Sequence, residues 1–595
     1  MSAAELTARR ASRLTPGATR ADLPPDEASA PRLRATARWP IAALLVAVIA
    51  LLTALPGLRN GFAYDDGWIV VANKPLHTLH AWWTLFLRPY WLPEFGARLY
   101  RPLTSLAFAL QWAVGNGSPL PFHAVNVALY AVLCVAVLVL LRRTDGDRRV
   151  GPLVGAALFA AHPVHVEAVA NVVGQAELWV ALLLVLSVSA YVRWRSEGLL
   201  RRGRIAVLLA AYAVVCLVKE NGIVLPALIA AAEWLLVRND SRPRRKRIAT
   251  LRELLLAMTL VAVATLWLRH SVLGSVTGDD PHPSFVGMSD GARRLVMLAL
   301  VPRIAGLLLW PARLIADYSP GDTPLRTQFG AWHLFGAAIV VALLGLAAWC
   351  RTRRPAVTFG VIWMVVALAP IANILVPTGI IIAERALFLP SIGLAIVVGA
   401  LVGWGAERVV APGARRAAAV AIAALVMLAT VRAAVHAPVW RSNATLFTQM
   451  VTDAPLNGRA HYSYGGVLFD RGDWDGGVRE WHRAIALMPT NPDVPIALAQ
   501  RYLDRGRPNE AMRVLEVEIR RTPNAALPRL MHIAAQLRMA RFTDAEREAR
   551  EGAKAAKSPI AFQYLGMVAD SILIRSPSGD SIGIRPRPAP ASAPR

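Results

Sequence analysis

Long apolar runs separated by short arginine clusters constrain this chain more than any other feature. The runs fall at roughly 39–58, 122–141, 151–170, 176–194, 204–219, 221–237, 253–270, 332–350, 357–376, 386–405 and 417–436. Most approach the ~20 residues an α-helix needs to cross hydrocarbon. Between them lie RRTDGDRR at 142–149, RWRSEGLLRRGR at 193–204, RNDSRPRRKRIATLR at 238–252, RTRR at 351–354 and ERVVAPGARR at 407–416. Short basic loops stay in the cytoplasm, and about eleven spans place every cluster on that side. A chain that is 55% hydrophobic and 17% charged has no soluble counterpart of this length. Most of the formal charge of +26 sits in these loops, so it writes topology and does not point to nucleic acid. Cys134, Cys216 and Cys350 sit inside apolar runs, as packing residues do.

The rest of the topology follows from this reading. Residues 1–38 are rich in Ala, Pro and Arg and lack apolar periodicity, which predicts a disordered cytoplasmic arm ahead of an uncleaved first span. Two apolar pieces remain, 103–115 and 293–311. The first is too short to span and the second contains Pro302 and Arg303, so both are expected to lie along the outer membrane face. The loops 59–121 and 271–331, and everything after about residue 437, then share the external side. The expected location is the inner (cytoplasmic) membrane of a bacterium, with the N-terminus inside.

Charged and polar residues collect on that external face. The loop RNGFAYDDGWIVVANK carries Asp65 and Asp66 at the lip of the first span, where a carboxylate pair is costly unless function retains it. HPVHVEAVANVVGQAE at 162–177 brings His162, His165, Glu167 and Glu177 between the third and fourth spans. Lys219 and Glu220 end the fifth, Glu384 and Arg385 begin the tenth, and His123 and Asn126 lie a turn apart at the start of the second. The tryptophans and tyrosines of the first loop are read chiefly as a membrane-interface belt.

From Arg459 the apolar runs stop and a period of 34 residues appears, with Gly472 matching Gly506 and Pro489 matching Pro523. Trp481 and Ala484 stand at packing positions of the first unit, and Ala545 keeps register in a degenerate third. This spacing predicts helix-pair repeats of the tetratricopeptide type. The expected division is an arm at 1–38, a membrane domain at 39–436, a linker at 437–458, external repeats at 459–560 and a flexible tail at 561–595.

The ordered motifs FAYDDGWIVVANK, LYRPLTSLAFAL, PFHAVNVALY, HPVHVEAVANVVGQAEL, VKENGIVLP and AERALFLPSIG, followed by repeats, resemble the transmembrane and tetratricopeptide-repeat containing proteins. The resemblance runs from about residue 58 to 560. It implies an all-α polytopic GT-C fold, a polyprenyl-phosphate sugar donor, an O-mannosyltransferase activity and a catalytic carboxylate in the first external loop. Asp65 is then the expected general base, with Asp66 orienting it or contacting sugar, or capping a helix instead. Arg101, Arg385 and Lys219 are expected to meet the leaving phosphate; snorkelling or a salt bridge is their structural alternative. For His162, His165, Glu167, Glu177 and His123, hydrogen bonding to sugar or acceptor is expected, with packing at a helix terminus as the other account. No cofactor is expected, although His162, His165 and Glu167 raise the idea of a divalent metal. The function expected is inverting transfer of a hexose, mannose by the resemblance, to hydroxyls of exported protein docked on the repeats. A transferase acting on a lipid or cell-envelope glycan, and a non-catalytic membrane scaffold, are the alternatives.

Overall fold

A computed structural model describes residues 39–92, 94, 99–146, 149–198, 200–237, 244–277, 281–555, 563 and 565–568. The expected N-terminal arm and nearly all of the tail lie outside the described residues. Within them the chain is all-α, with no β-strand assigned. The membrane part contains α1 (Trp39–Ala54), α2 (Pro102–Gly115), α3 (Leu120–Asp145), α4 (Val150–Ala161), α5 (Val166–Ala170), α6 (Gln175–Ser196), α7 (Arg202–Val218) and α8 (Leu225–Leu235). It continues with α9 (Arg244–Leu273), α10 (Asp290–Leu309), α11 (Ala331–Arg353), α12 (Pro355–Leu368), α13 (Phe388–Arg408) and α14 (Pro412–His436).

Every expected span carries helix, but they are not equivalent. Seven helices among the described residues are long and apolar enough to cross a membrane. The run at 151–170 is bent by 48° between α4 and the short helix beyond it, because Pro163 cannot continue the ladder. The runs holding α7, α8 and α12 yield helices of 17, 11 and 14 residues. Hydropathy reads the length of an apolar run and is blind to where Pro and the turn before a polar cluster cut it. The two pieces excluded as spans form α2 and α10.

The spans α3, α6 and α13 are central, 61–83% buried, whereas α9, α11 and α14 are only 6–22% buried. Their exposed faces carry Leu260 and Trp267 on α9, Val341 on α11 and Met427 on α14, as lipid-facing helices require. Hydrocarbon gives helices no hydrophobic reason to associate, so close backbone contact between small residues does that work. A Cβ on Gly393 of α13 would stand 2.4 Å from the Gly360 carbonyl of α12, and one on Gly151 of α4 would stand 2.3 Å from the Gly399 carbonyl of α13. At the other end, Glu233 of α8 is buried between Arg195 of α6 at 2.7 Å and Arg247 of α9 at 3.2 Å, with the Tyr191 hydroxyl donating at 2.9 Å.

The expected linker is structured. A 3₁₀ turn at Ala437–Arg441 leads into α15 (Asn443–Asp453). Three helix pairs follow: α16 (Gly458–Asp470) with α17 (Trp474–Leu487), α18 (Asp493–Asp504) with α19 (Pro508–Arg521), and α20 (Ala526–Arg538) with α21 (Phe542–Ala555). The second helices begin at 474, 508 and 542, steps of 34 residues. The turns before them place Gly472, Gly506 and Ala540 at φ 84°, 69° and 57°. Gly477, Ala511 and Ala545 hold one buried register position, where a small residue lets the paired helices approach.

Candidate active site

The loop after α1 is gripped on its inner side by Asp66. That carboxylate is buried and accepts the backbone N–H of Ala63 at 3.1 Å, Val172 at 3.3 Å and Val173 at 2.9 Å. Burial pushes its carboxyl up to about 7 against the pull of those donors. Asp66 therefore ties the loop to the turn ahead of α6, whereas Asp65, one residue earlier, faces a cavity of about 2090 Å³.

Asp65 Oδ2 receives Arg385 Nη1 at 2.9 Å, and the same guanidinium lies 3.5 Å from Glu167 Oε1. The Arg385 backbone N–H donates to Glu167 Oε2 at 2.9 Å. Glu167 is buried on α5, where the bend after α4 turns it toward the 3₁₀ turn Glu384–Leu387 that opens α13. Farther along the wall, Arg101 binds Glu220 through Nε at 3.0 Å and Nη2 at 2.5 Å, and Lys219 pairs with Glu177. Asp65, Glu167, Glu177, Arg101, Lys219 and Arg385 thus line one cavity, although 320 residues separate Asp65 from Arg385.

Three histidines from the sequence reading lie elsewhere. His162 Nε2 is 2.8 Å from the Leu308 carbonyl, and its Nδ1 accepts from Val164 N–H at 3.2 Å, capping the turn after the Pro163 break. His165 sits buried between the Tyr130 hydroxyl at 2.9 Å and Ser391 Oγ at 2.8 Å. His123 Nε2 lies 3.2 Å from the Gly61 carbonyl. All three join segments of the fold, and none lines the cavity with Asp65. Among the described residues no group of three or more His, Cys, Asp or Glu is placed to hold a metal ion.

The cavity also contains groups that sequence alone does not single out. Arg269, near the end of α9, adds a third cation to the Arg101–Lys219 patch, and its field helps hold the Glu220 carboxylate ionised. Arg459 and Tyr462 of α16, with Met488 and Asn491 of the turn after α17 and Asp493 at the start of α18, form the far wall. They are held there by Asp317, whose carbonyl accepts Asn457 Nδ2 at 2.8 Å and whose carboxylate lies 3.7 Å from Arg459. A Cβ on Gly321 would fall 1.7 Å from the Leu456 carbonyl, so only glycine permits this seat. Glu384 fixes the same loop through Ile315 N–H at 2.5 Å and the Tyr318 hydroxyl at 2.7 Å. A lone Arg ending an apolar run and an Arg opening a repeat were the available signals, and both resemble ordinary topology or surface residues.

No family model and no solved structure matches the chain. Among curated proteins it is 27% identical over 490 residues to Protein O-mannosyl-transferase TMTC4 of Mus musculus, and 29% identical over 493 residues to that of Homo sapiens. Each match covers 74% of this chain and 65% of the relative, slightly under two thirds of its length. Protein O-mannosyl-transferase TMTC1 of Homo sapiens is 26% identical over 505 residues, covering 75% of this chain and 55% of that protein. Over about three quarters of its length the chain is similar to these O-mannosyl-transferases, the resemblance that its ordered motifs imply.

Proposed function

We propose that this protein is a GT-C glycosyltransferase that moves a hexose, mannose by its relatives' names, from a polyprenyl monophosphate to hydroxyls of an exported protein. The observation that carries the reading is Asp65, an acid facing a large cavity and oriented by Arg385, with the first helix pair of the repeats as the opposite wall. An acceptor hydroxyl is a weak nucleophile, and a carboxylate within hydrogen-bond reach takes its proton as the oxygen attacks the anomeric carbon. Direct displacement with one base inverts that carbon: the glycosyl–oxygen bond to phosphate breaks as the new one forms, and the electron pair leaves on phosphate.

Negative charge growing on the leaving phosphate needs fixed positive charge. Arg101, Lys219 and Arg269 are three cations set against two carboxylates, Glu177 and Glu220, at one end of the cavity. Beside them Cys216 of α7, Ile223 of the 3₁₀ turn that follows it, Ala227 of α8, and Ala262 and Leu266 of α9 line an apolar side. Because α9 is a peripheral span, a polyprenyl chain lying along that side reaches lipid without crossing the core. The repeat wall favours a protein acceptor over a lipid, which would need no such wall.

The test is transfer of label from tritiated mannosyl-phosphoryl-undecaprenol in membranes carrying the full chain. Label is expected in protein and not in the lipid extract, and Asp65→Asn is expected to lower transfer by roughly 100-fold or more. Undiminished transfer in Asp65→Asn would refute the assignment of the base, and label confined to the lipid extract would refute the acceptor.

A further inference from the structure

We infer that Asn443, beyond the last membrane helix, is a positioning residue that aims Asp65 by holding Tyr64 in a left-handed conformation; this rests on Asp65 being the base. Tyr64 has φ +57°, a backbone region that a residue with a Cβ avoids unless its surroundings impose it. The turn it makes lets two consecutive carboxylates diverge, Asp66 going inward to three backbone N–H groups and Asp65 outward to the cavity. With Tyr64 in the ordinary right-handed region, Asp66 could keep its donors only if Asp65 changed direction.

The imposed geometry comes from the segment 437–447. The Tyr64 N–H donates to Asn443 Oδ1 at 2.7 Å. Gly61 N–H donates to the Arg441 carbonyl at 2.9 Å, and a Cβ at Gly61 would lie 3.1 Å from that oxygen. Asn60 Nδ2 donates to the Ala437 carbonyl at 3.0 Å. The Tyr64 ring meets Trp440 and Phe447 edge-on, with centroids 6.3 and 6.2 Å away. Asn443 is itself held where α15 starts, by the Ser442 side chain accepting from Thr445 N–H at 3.2 Å. The acid-bearing loop is thus clamped between Asp66 inside and Asn443 outside, and the membrane domain cut at its last span would lack half of the clamp.

Two variants of the full chain, assayed in membranes with tritiated mannosyl-phosphoryl-undecaprenol, separate this from mere folding. Asn443→Ala removes the acceptor and is expected to lower kcat by roughly 10- to 100-fold, the scale of a catalytic group displaced by about 1 Å, with the KM for donor unchanged. Asn443→Asp keeps an oxygen in place at a helix start that tolerates negative charge, and is expected to retain most of the activity. Hydrogen exchange at the Tyr64 amide supplies a readout independent of turnover: protected in the wild type and in Asn443→Asp, exchanging freely in Asn443→Ala. Full activity in Asn443→Ala while Asp65→Asn is inactive overturns the positioning role and leaves the base intact; an active Asp65→Asn overturns the function first. Should Asn443→Ala not reach the membrane, an unprotected Tyr64 amide in the wild type is itself decisive against the proposal.

Discussion

At the scale of single residues, the acidic doublet shows what a sequence conceals. Asp65 and Asp66 are adjacent and chemically identical, yet one lines the cavity and the other is a buried internal cap. The difference lies in the left-handed Tyr64 and in backbone N–H groups more than 100 residues away, which no local pattern reports. His162 lies outside the cavity for a related reason: the break at Pro163 frees backbone groups that must be paired inside the fold, and its ring accepts the Val164 N–H, whereas His165 is taken up by the Tyr130 and Ser391 hydroxyls. The buried state of Asp66 gives a pH signature. With its carboxyl raised from 3.8 to about 7 in the fold, the folded state retains a proton that the unfolded chain has released across that interval. Stability is therefore lost as pH rises from about 4 to about 7. Asp66→Asn cannot titrate, so its thermal unfolding in detergent between pH 5 and 7 should slope less steeply than the wild type's. Parallel slopes would show that Asp66 does not carry this proton.

Among the elements, the repeats were the most legible because their signal is a spacing, and spacing survives degeneracy. Steps of 34 residues recur in helix starts, in left-handed turns and in buried small residues. The third turn differs in one respect: Ala540 occupies the left-handed position that glycine fills in the first two. A Cβ there is disfavoured by about 1–2 kcal/mol, offset in part by the greater freedom glycine has in the unfolded chain. Ala540→Gly should stabilise the third unit by roughly 0.5–1 kcal/mol, seen as two- to fivefold slower hydrogen exchange across α20 and α21. Faster exchange would mean that the alanine is unstrained. The membrane helices were less legible: apolar runs located them all, but composition does not reveal that a run will be broken at Pro163 or that another will yield only the 11 residues of α8.

For the whole molecule, the contacts between the first loop and the repeats restrict the topology further than charge counting does. Asn60, Gly61 and Tyr64 bond directly to residues 437–443, and Asp65 shares a cavity with Arg459. Segments in such contact cannot lie on opposite sides of a bilayer, so an even number of crossings must separate residue 65 from residue 459. The basic loop after α6, if cytoplasmic as its arginines imply, must face the other way. All three native cysteines are buried, and with Cys216, which lines the cavity, replaced by alanine, one added exposed cysteine at a time is readable by an impermeant maleimide. Arg88→Cys in the first loop, Arg520→Cys in the repeats and Arg202→Cys after α6 all replace exposed residues. The first two should label in intact cells stripped of their outer barrier, and the third only after the membrane is permeabilised. Labelling of Arg88→Cys and Arg520→Cys from different sides would break the shared cavity, and with it any reaction that needs Asp65 and the repeat wall together. Labelling of both only after permeabilisation would keep the cavity but turn it toward the cytosol, where exported protein is not yet the acceptor proposed for it.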